Sequence, residues 1–372
     1  MKRTFLMLAA ALLLVSCSSS GSSSVGGTNL MTESVKSAYN GADELMGKTF
    51  DKFIMPDTFE TAPVDNAYEL TVDRTEKELG SDRLKKLFSD FAGEGFDSTT
   101  FASLGNNAGY MYGRSGGSVP SSGRFDGHFF MLSNDFLYNE NTSQNTEMLW
   151  SGYLGLDEDQ TFSLGDKQTS ASQLAALTDN KLNTFFEGCI EPFEFKTARL
   201  TVSSDGDVSV NCGLTFEGIM LQPWMTGLES DIQRGNKNGI TKCFAFFGGD
   251  ADLPDGEHFG YVNTRLLPNL IDKKKLDGII PLKRAVGILN SELKNTVVYE
   301  FCDVRLLYCG TCPAMTFNPD QYYYEQVELR PMWCFFVSAA DRGIDHMNCV
   351  KVDAVSGDVI LDLSSIFLEN TQ

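Results

Sequence analysis

Phe193-Glu-Phe-Lys-Thr-Ala-Arg-Leu-Thr-Val202, then Asp205-Gly206, then Val208-Ser-Val-Asn-Cys-Gly-Leu-Thr-Phe216 is the stretch on which the reading of the fold turns. Apolar and polar residues alternate on both sides of an Asp-Gly pair, the short-range signature of a β-hairpin. Just upstream, Ser170 to Glu187 presents Leu174, Leu177, Leu182, Phe185 and Phe186 as the apolar side of a helix, with Gly188 as its stop. A second strand, Tyr299-Glu-Phe-Cys-Asp-Val-Arg-Leu-Leu-Tyr308, shares Glu, Phe, Arg and Leu with Phe193–Val202 at a constant offset of 106. It too follows a helical pattern, Leu282 to Asn295. Shared residues in the same order of elements predict a duplicated helix-plus-sheet unit.

Outward from these anchors, Val327 to Ser338 and Val350 to Leu363 read as further strands, the last a hairpin around Ser356-Gly357-Asp358. Lys242 to Gly248 and His258 to Arg265 take the corresponding places in the first copy. Toward the N-terminus, a strand is expected at Ala67 to Val72 and a short helix after Ser81, with Leu84, Leu87, Phe88 and Phe91 at three- and four-residue spacing. Thr28 to Asp57 shows broken helical periodicity. Gly113 to Gly127 reads as a loop, with strands within Phe129 to Leu132 and Thr146 to Leu156. The expectation is an α+β fold with helices packed on antiparallel sheets: an N-terminal region over 30–160 and two related units over 168–267 and 278–363.

Leu329-Arg-Pro-Met-Trp333 followed by Val352-Asp-Ala-Val-Ser-Gly-Asp-Val359 resembles the end of PepSY-like domains and of the related YycH/YycI group of extracytoplasmic regulators. The resemblance covers about 278–363 and, more faintly, 169–265. It implies an interaction or regulatory module rather than an enzyme. Physically, Pro331 suits an edge or strand start, Trp333 a helix–sheet anchor, and Gly357 a turn with positive φ.

The start of the chain bears on location. Lys2 and Arg3 precede an apolar run from Phe5 to Val15, the length of a signal-peptide core and too short for a membrane span. The run ends in Leu14-Val15-Ser16-Cys17, which resembles the lipobox of bacterial lipoproteins, in which the cysteine is lipidated and becomes the mature N-terminus. That resemblance implies a signal peptide over 1–16, lipidated Cys17, and a body held at the extracytoplasmic face of the cell membrane through its acyl chains. Residues 17–29 form a Ser/Gly tether, with a reach of roughly 17 Å over its ten most flexible residues. No second apolar run of membrane-spanning length follows.

Charge narrows the partners. The chain of 372 residues carries 50 acidic and 30 basic side chains, a formal charge of −20, and loss of Lys2 and Arg3 takes this to −22. Nucleic acid is excluded as a partner, because phosphate binding needs a basic face.

Chemistry-bearing motifs are sparse. Gly113-Arg-Ser-Gly-Gly117 has the letters of a nucleophile elbow, but no helix can follow Ser115. Ser291-Glu-Leu-Lys294 reads as a helix end. His128, His258 and His346 form no paired zinc motif, and Pro254 interrupts the acidic loop of Asp250, Asp252, Asp255 and Glu257 where a calcium loop needs a ligand. Eight cysteines remain besides Cys17, all in the second half. Cys309-Gly-Thr-Cys312 is the one C-x-x-C pair, read first as a structural disulfide or idle thiols, with a metal site and redox exchange as the alternatives. No metal and no cofactor is expected. The sequence thus predicts a non-enzymatic lipoprotein binding an envelope protein or peptide. Its alternatives are a solute-binding lipoprotein and an extracytoplasmic thiol oxidoreductase working through Cys309 and Cys312.

Overall fold

A computed structural model describes residues 32–73, 101–103, 109–113, 129–133, 148–154, 159–164, 167–187, 190–203, 208–222, 243–247, 261–265, 268–294, 297–310, 326–337 and 349–362. Within them the hairpin forms as its sequence dictates, β9 (Glu194–Ser203) against β10 (Val208–Phe216). Ahead of it lies α1 (Ala171–Phe185), whose start is fixed by a capping box. Gln173 N–H donates to Ser170 Oγ at 3.3 Å and Ser170 N–H to Gln173 Oε1 at 3.0 Å, satisfying two amides that the first turn would leave open. The buried side is Ala171, Leu174, Ala175, Thr178 and Leu182; Leu177, expected among them, faces outward.

The second strand of the offset pair is β15 (Tyr299–Gly310), antiparallel to β16 (Gln326–Val337). The predicted C-terminal hairpin follows as β17 (Cys349–Asp353) and β18 (Val359–Asp362), with Gly357 at φ +79. Helix α2 (Leu282–Glu292) buries Leu282, Ala285, Val286 and Leu289, a stripe at three- and four-residue spacing. Gly278 precedes it because the backbone of Glu33 passes so close that a Cβ there would stand 2.4 Å from the Glu33 carbonyl. Glu33 and Ile279 exchange two hydrogen bonds of 2.9 Å at this crossing.

The expected α+β class, with helices packed on antiparallel sheets, is not what the chain builds. Strands dominate, with two α-helices among the described residues, and one mixed sheet runs through most of the elements. Its main path is β14-β2-β16-β15-β11-β10-β12-β13-β5-β4-β3, where β2 is Tyr68–Asp73, β3 Phe101–Ser103, β4 Gly109–Gly113, β5 Phe129–Ser133, β11 Ile219–Leu221, β12 Cys243–Phe247, β13 Tyr261–Arg265 and β14 Asn269–Lys275. Strands β6 (Met148–Tyr153) and β9 extend it beside β10, and β7 (Thr161–Leu164) with β8 (Lys167–Ser170) forms a separate hairpin. Among the described residues three pairings are parallel: β1 (Phe53–Ile54) with β15, β11 with β15, and β13 with β5.

The physical reason is the short β11. Ile219, Met220 and Leu221 are all buried, and their pairing with Leu307 and Tyr308 joins the strands of both offset stretches into one sheet. Such three-residue parallel contacts leave no period-two signature to read.

Pro331 corrects a smaller expectation. It sits in the middle of β16, not at an end, where the neighbour on one side changes from β2, paired at Gln326–Leu329, to β17, paired at Met332–Phe336. A residue without an amide hydrogen fits the gap between two consecutive partners. Its carbonyl still accepts from Ala354 N–H at 3.0 Å.

Candidate functional site

Strands β15, β16 and β17 are buried on both faces over most of their length, which is why runs such as Pro331-Met-Trp-Cys-Phe-Phe-Val337 carry no alternation. One face, with Val304, Leu306, Tyr308, Trp333 and Phe335, belongs to the large core against both helices. The opposite face carries a smaller cluster of Ala198, Met220, Leu307, Cys309, Met332, Cys334, Phe336 and Cys349. By strand alternation, Asp303, Arg305, Arg330, Lys351 and Asp353 share that second face. Thiols and charges concentrate there, which makes it the candidate site.

The thiols are deeply buried. Cys309 Sγ lies 3.5 Å from Cys334 Sγ, and Cys334 also bonds the Cys349 thiol. Cys302 Sγ donates to the Phe336 carbonyl at 3.5 Å. Burial, reinforced by the neighbouring thiols, pushes the Cys334 thiol well above its ordinary pKa, so it is not a ready thiolate. In the ladder Cys309 stands opposite Arg330 and Cys334 opposite Arg305. At 3.5 Å the two sulfurs are in contact but stand well beyond the roughly 2.0 Å of a disulfide bond, so both are thiols.

The charges are matched internally. Asp303, fully buried, accepts from Arg305 Nε at 2.6 Å and from Val304 N–H at 2.8 Å. Burial alone would discourage the guanidinium charge, but Asp303, with weaker help from Glu60 and Tyr39, holds Arg305 charged. Its Nη2 has no acceptor among the described residues. Lys351 Nζ donates to Gln222 Oε1 at 3.0 Å, both residues being buried. Arg330 bridges Glu69 at 3.1 Å and Asp353 at 3.8 Å, while Lys274 reaches the same Glu69 at 2.8 Å. Asp353 also accepts from Val355 and Ser356 N–H at 2.7 and 3.0 Å, shaping the turn that ends at Gly357.

A window in the sheet lies beside this pair. Along one side of β15, β1 pairs at Tyr299–Glu300 and β11 at Leu307–Tyr308, with no strand between them among the described residues. Side chains take the strand's place. The Asp303 carboxylate serves Val304 N–H, and the Tyr39 hydroxyl bonds the Leu306 backbone, its pKa raised by burial. Tyr39 in turn packs edge-on against Trp333, ring centroids 5.0 Å apart.

Of the residues singled out in the sequence, Cys309 is on this face, with Cys334 as its sulfur neighbour; Cys17 and Cys312 lie outside the described residues, as do Ser115, the three histidines and the acidic loop. Ser291 closes α2, its hydroxyl donating to the Ile288 carbonyl at 2.7 Å. No group of three or more metal-ligating side chains occurs among the described residues, and no helix there is long and apolar enough to cross a membrane. Asp303, Arg305, Cys334 and Lys351 were missed by motif reading. The signal that could have found them is the pair of long strands too apolar to have an outer face.

Fold and site together define a class: a mixed-sheet, strand-dominated protein with a buried face of thiols and internally paired charges. No protein-family model matches the chain, and no curated protein matches it. Among solved structures, an uncharacterized protein from Eubacterium rectale ATCC 33656 is similar over 79% of this chain and 85% of its own, at 11% identity and a TM-score of 0.41.

Proposed function

We propose that this chain is an envelope-anchored, non-enzymatic lipoprotein, tied to the cell membrane through Cys17, whose folded body binds a protein or peptide partner. The observation that carries the reading is Leu14-Val15-Ser16-Cys17 behind a short apolar run and ahead of a Ser/Gly tether. The shape of the body is compatible with capture of extended segments. Strand β18 pairs with β17 alone among the described residues, and its Ile360 and Leu361 are 42% and 56% exposed. An open apolar strand edge takes peptides by adding a strand. On the thiol face Cys309 is fully buried and burial keeps Cys334 in its thiol form, which supports a structural part for these two sulfurs.

Palmitate labelling of cells expressing the wild type and Cys17→Ala tests the anchor: label is expected on the first and absent from the second. Crosslinking on intact cells tests the partner. Equal labelling of the two proteins, or turnover of a substrate by the purified body, overturns the reading, and recovery of a permease as the dominant neighbour replaces it with solute binding.

A further inference from the structure

Strand β9 has a stop built beside it. Its outer edge pairs with β6 from Arg199 to Ser203, and Leu154 N–H extends the contact to the Ala198 carbonyl at 3.1 Å. Ala198 is the extra residue of a β-bulge, since Arg199 faces Asn211 and Thr197 faces Cys212 on β10. Beyond the bulge Phe195 and Thr197 turn their backbone groups to that same edge, and no strand of the described residues meets them.

Two side chains one turn apart on α1 do so instead. Phe195 N–H donates to Asn183 Oδ1 at 2.6 Å, and Asn183 Nδ2 donates back to the Phe195 carbonyl at 3.1 Å. Thr197 N–H donates to Asp179 Oδ1 at 2.6 Å, joined by the Thr197 hydroxyl at 2.6 Å. An amide and a carboxylate at i and i+4 thus fill the hydrogen-bonding slots that a neighbouring strand uses at alternate residues.

We propose that α1 is a strand surrogate, with Asp179 and Asn183 holding closed an edge of β9 through which two copies of this chain would otherwise pair. The second copy is the occupant because the edge complements itself. Glu194 and Lys196, both exposed, flank Phe195. In an antiparallel pairing centred on Phe195, Glu194 of each copy stands opposite Lys196 of the other, and the two phenylalanines face each other across the twofold axis. Opposite charges and aromatic pairs at directly facing positions stabilise such ladders. In the closed state Lys196 instead lies 3.5 Å from Asp179. An unprotected edge of this kind invites association, and covering it with a helix is one of the known remedies.

The test is sedimentation of the full chain over a concentration series. Asp179→Ala/Asn183→Ala is expected to dimerise at concentrations where the wild type does not. Adding Lys196→Glu, which places like charges opposite each other twice by symmetry, is expected to weaken that dimer roughly tenfold. Combining Glu194→Lys with Lys196→Glu restores it. A folded double variant that sediments like the wild type at every concentration overturns the proposal, and so does a dimer indifferent to Lys196→Glu. Should the double variant lose its fold, hydrogen exchange on the wild type decides: the Phe195 and Thr197 amides are expected to be protected like the β9 amides paired with β6, and exchange at loop rates overturns the surrogate role.

Discussion

Trp333 and Ile280 are joined through the indole nitrogen, which donates to the Ile280 carbonyl at 2.7 Å with both residues fully buried. Ile280 N–H donates in turn to the Ala354 carbonyl at 2.7 Å, so one residue ahead of α2 is tied to β16 and to the turn after β17. Trp333→Phe leaves that buried carbonyl without its donor and shrinks a ring that Tyr39 meets edge-on. The expected loss is about 2–4 kcal/mol, read from urea unfolding. A loss below about 0.5 kcal/mol would mean that neither the indole hydrogen bond nor the larger ring holds this junction.

Asp179 makes stability depend on pH in an unusual direction for a carboxylate. Burial raises its pKa, outweighing the hydrogen bonds from Thr197 and the charge of Lys196. The folded state therefore binds the proton more tightly than the unfolded chain. The resulting stabilisation is fully present below the ordinary aspartate value, is lost as pH rises through the raised one, and changes no further above it. Asp179→Asn keeps an oxygen for Thr197 N–H and removes the titration. The stability of the variant relative to the wild type is expected to rise with pH across that window, measured by urea midpoints at matched pH values. A constant difference would contradict it.

Cys309 and Cys334 are expected to stay reduced in protein isolated without reductant. The sulfurs touch without being bonded, both residues are fully buried away from oxidant, and burial makes the Cys334 thiol resist ionisation. Alkylation before and after denaturation, followed by peptide mapping, should leave Cys309, Cys334 and Cys349 unmodified in the native protein and label all three once it is unfolded. Recovery of a Cys309–Cys334 crosslinked peptide would sink the prediction.

Local chemistry was legible and long-range pairing was not. The hairpin around Asp205-Gly206, both helices, Trp333 as an anchor and the turn at Gly357 follow from patterns within about twenty residues, and each stands within a few residues of its expected position. Strand β14 was missed because Asp272-Lys-Lys-Lys275 offers no alternation, although it lies antiparallel to β2 with Lys274 paired to Glu69. Strand β11 was missed because three residues carry no period. Those two strands decide the architecture, one at an end of the sheet's main path and one at its join. The same limit hid the site: Cys334 lies 25 residues from Cys309 in sequence and reaches it only through the pairing of β15 with β16.

The Asp303–Arg305 pair allows the strongest test of how the second face is held. Both side chains are buried, 2.6 Å apart, and the same carboxylate serves Val304 N–H where no strand among the described residues pairs with β15 on that side. Removing one partner of such a pair leaves an uncompensated charge in the interior, so Asp303→Ala is expected to cost roughly 3–5 kcal/mol. Much of that cost belongs to the stranded guanidinium rather than to the lost contact. Arg305→Met in the same chain removes the stranded charge while keeping the bulk of the side chain. The double variant is therefore expected to be more stable than Asp303→Ala alone, with a coupling of roughly 1–3 kcal/mol in a double-mutant cycle. Additive losses would place the counterion of Arg305 elsewhere, with Glu60 the next carboxylate to remove.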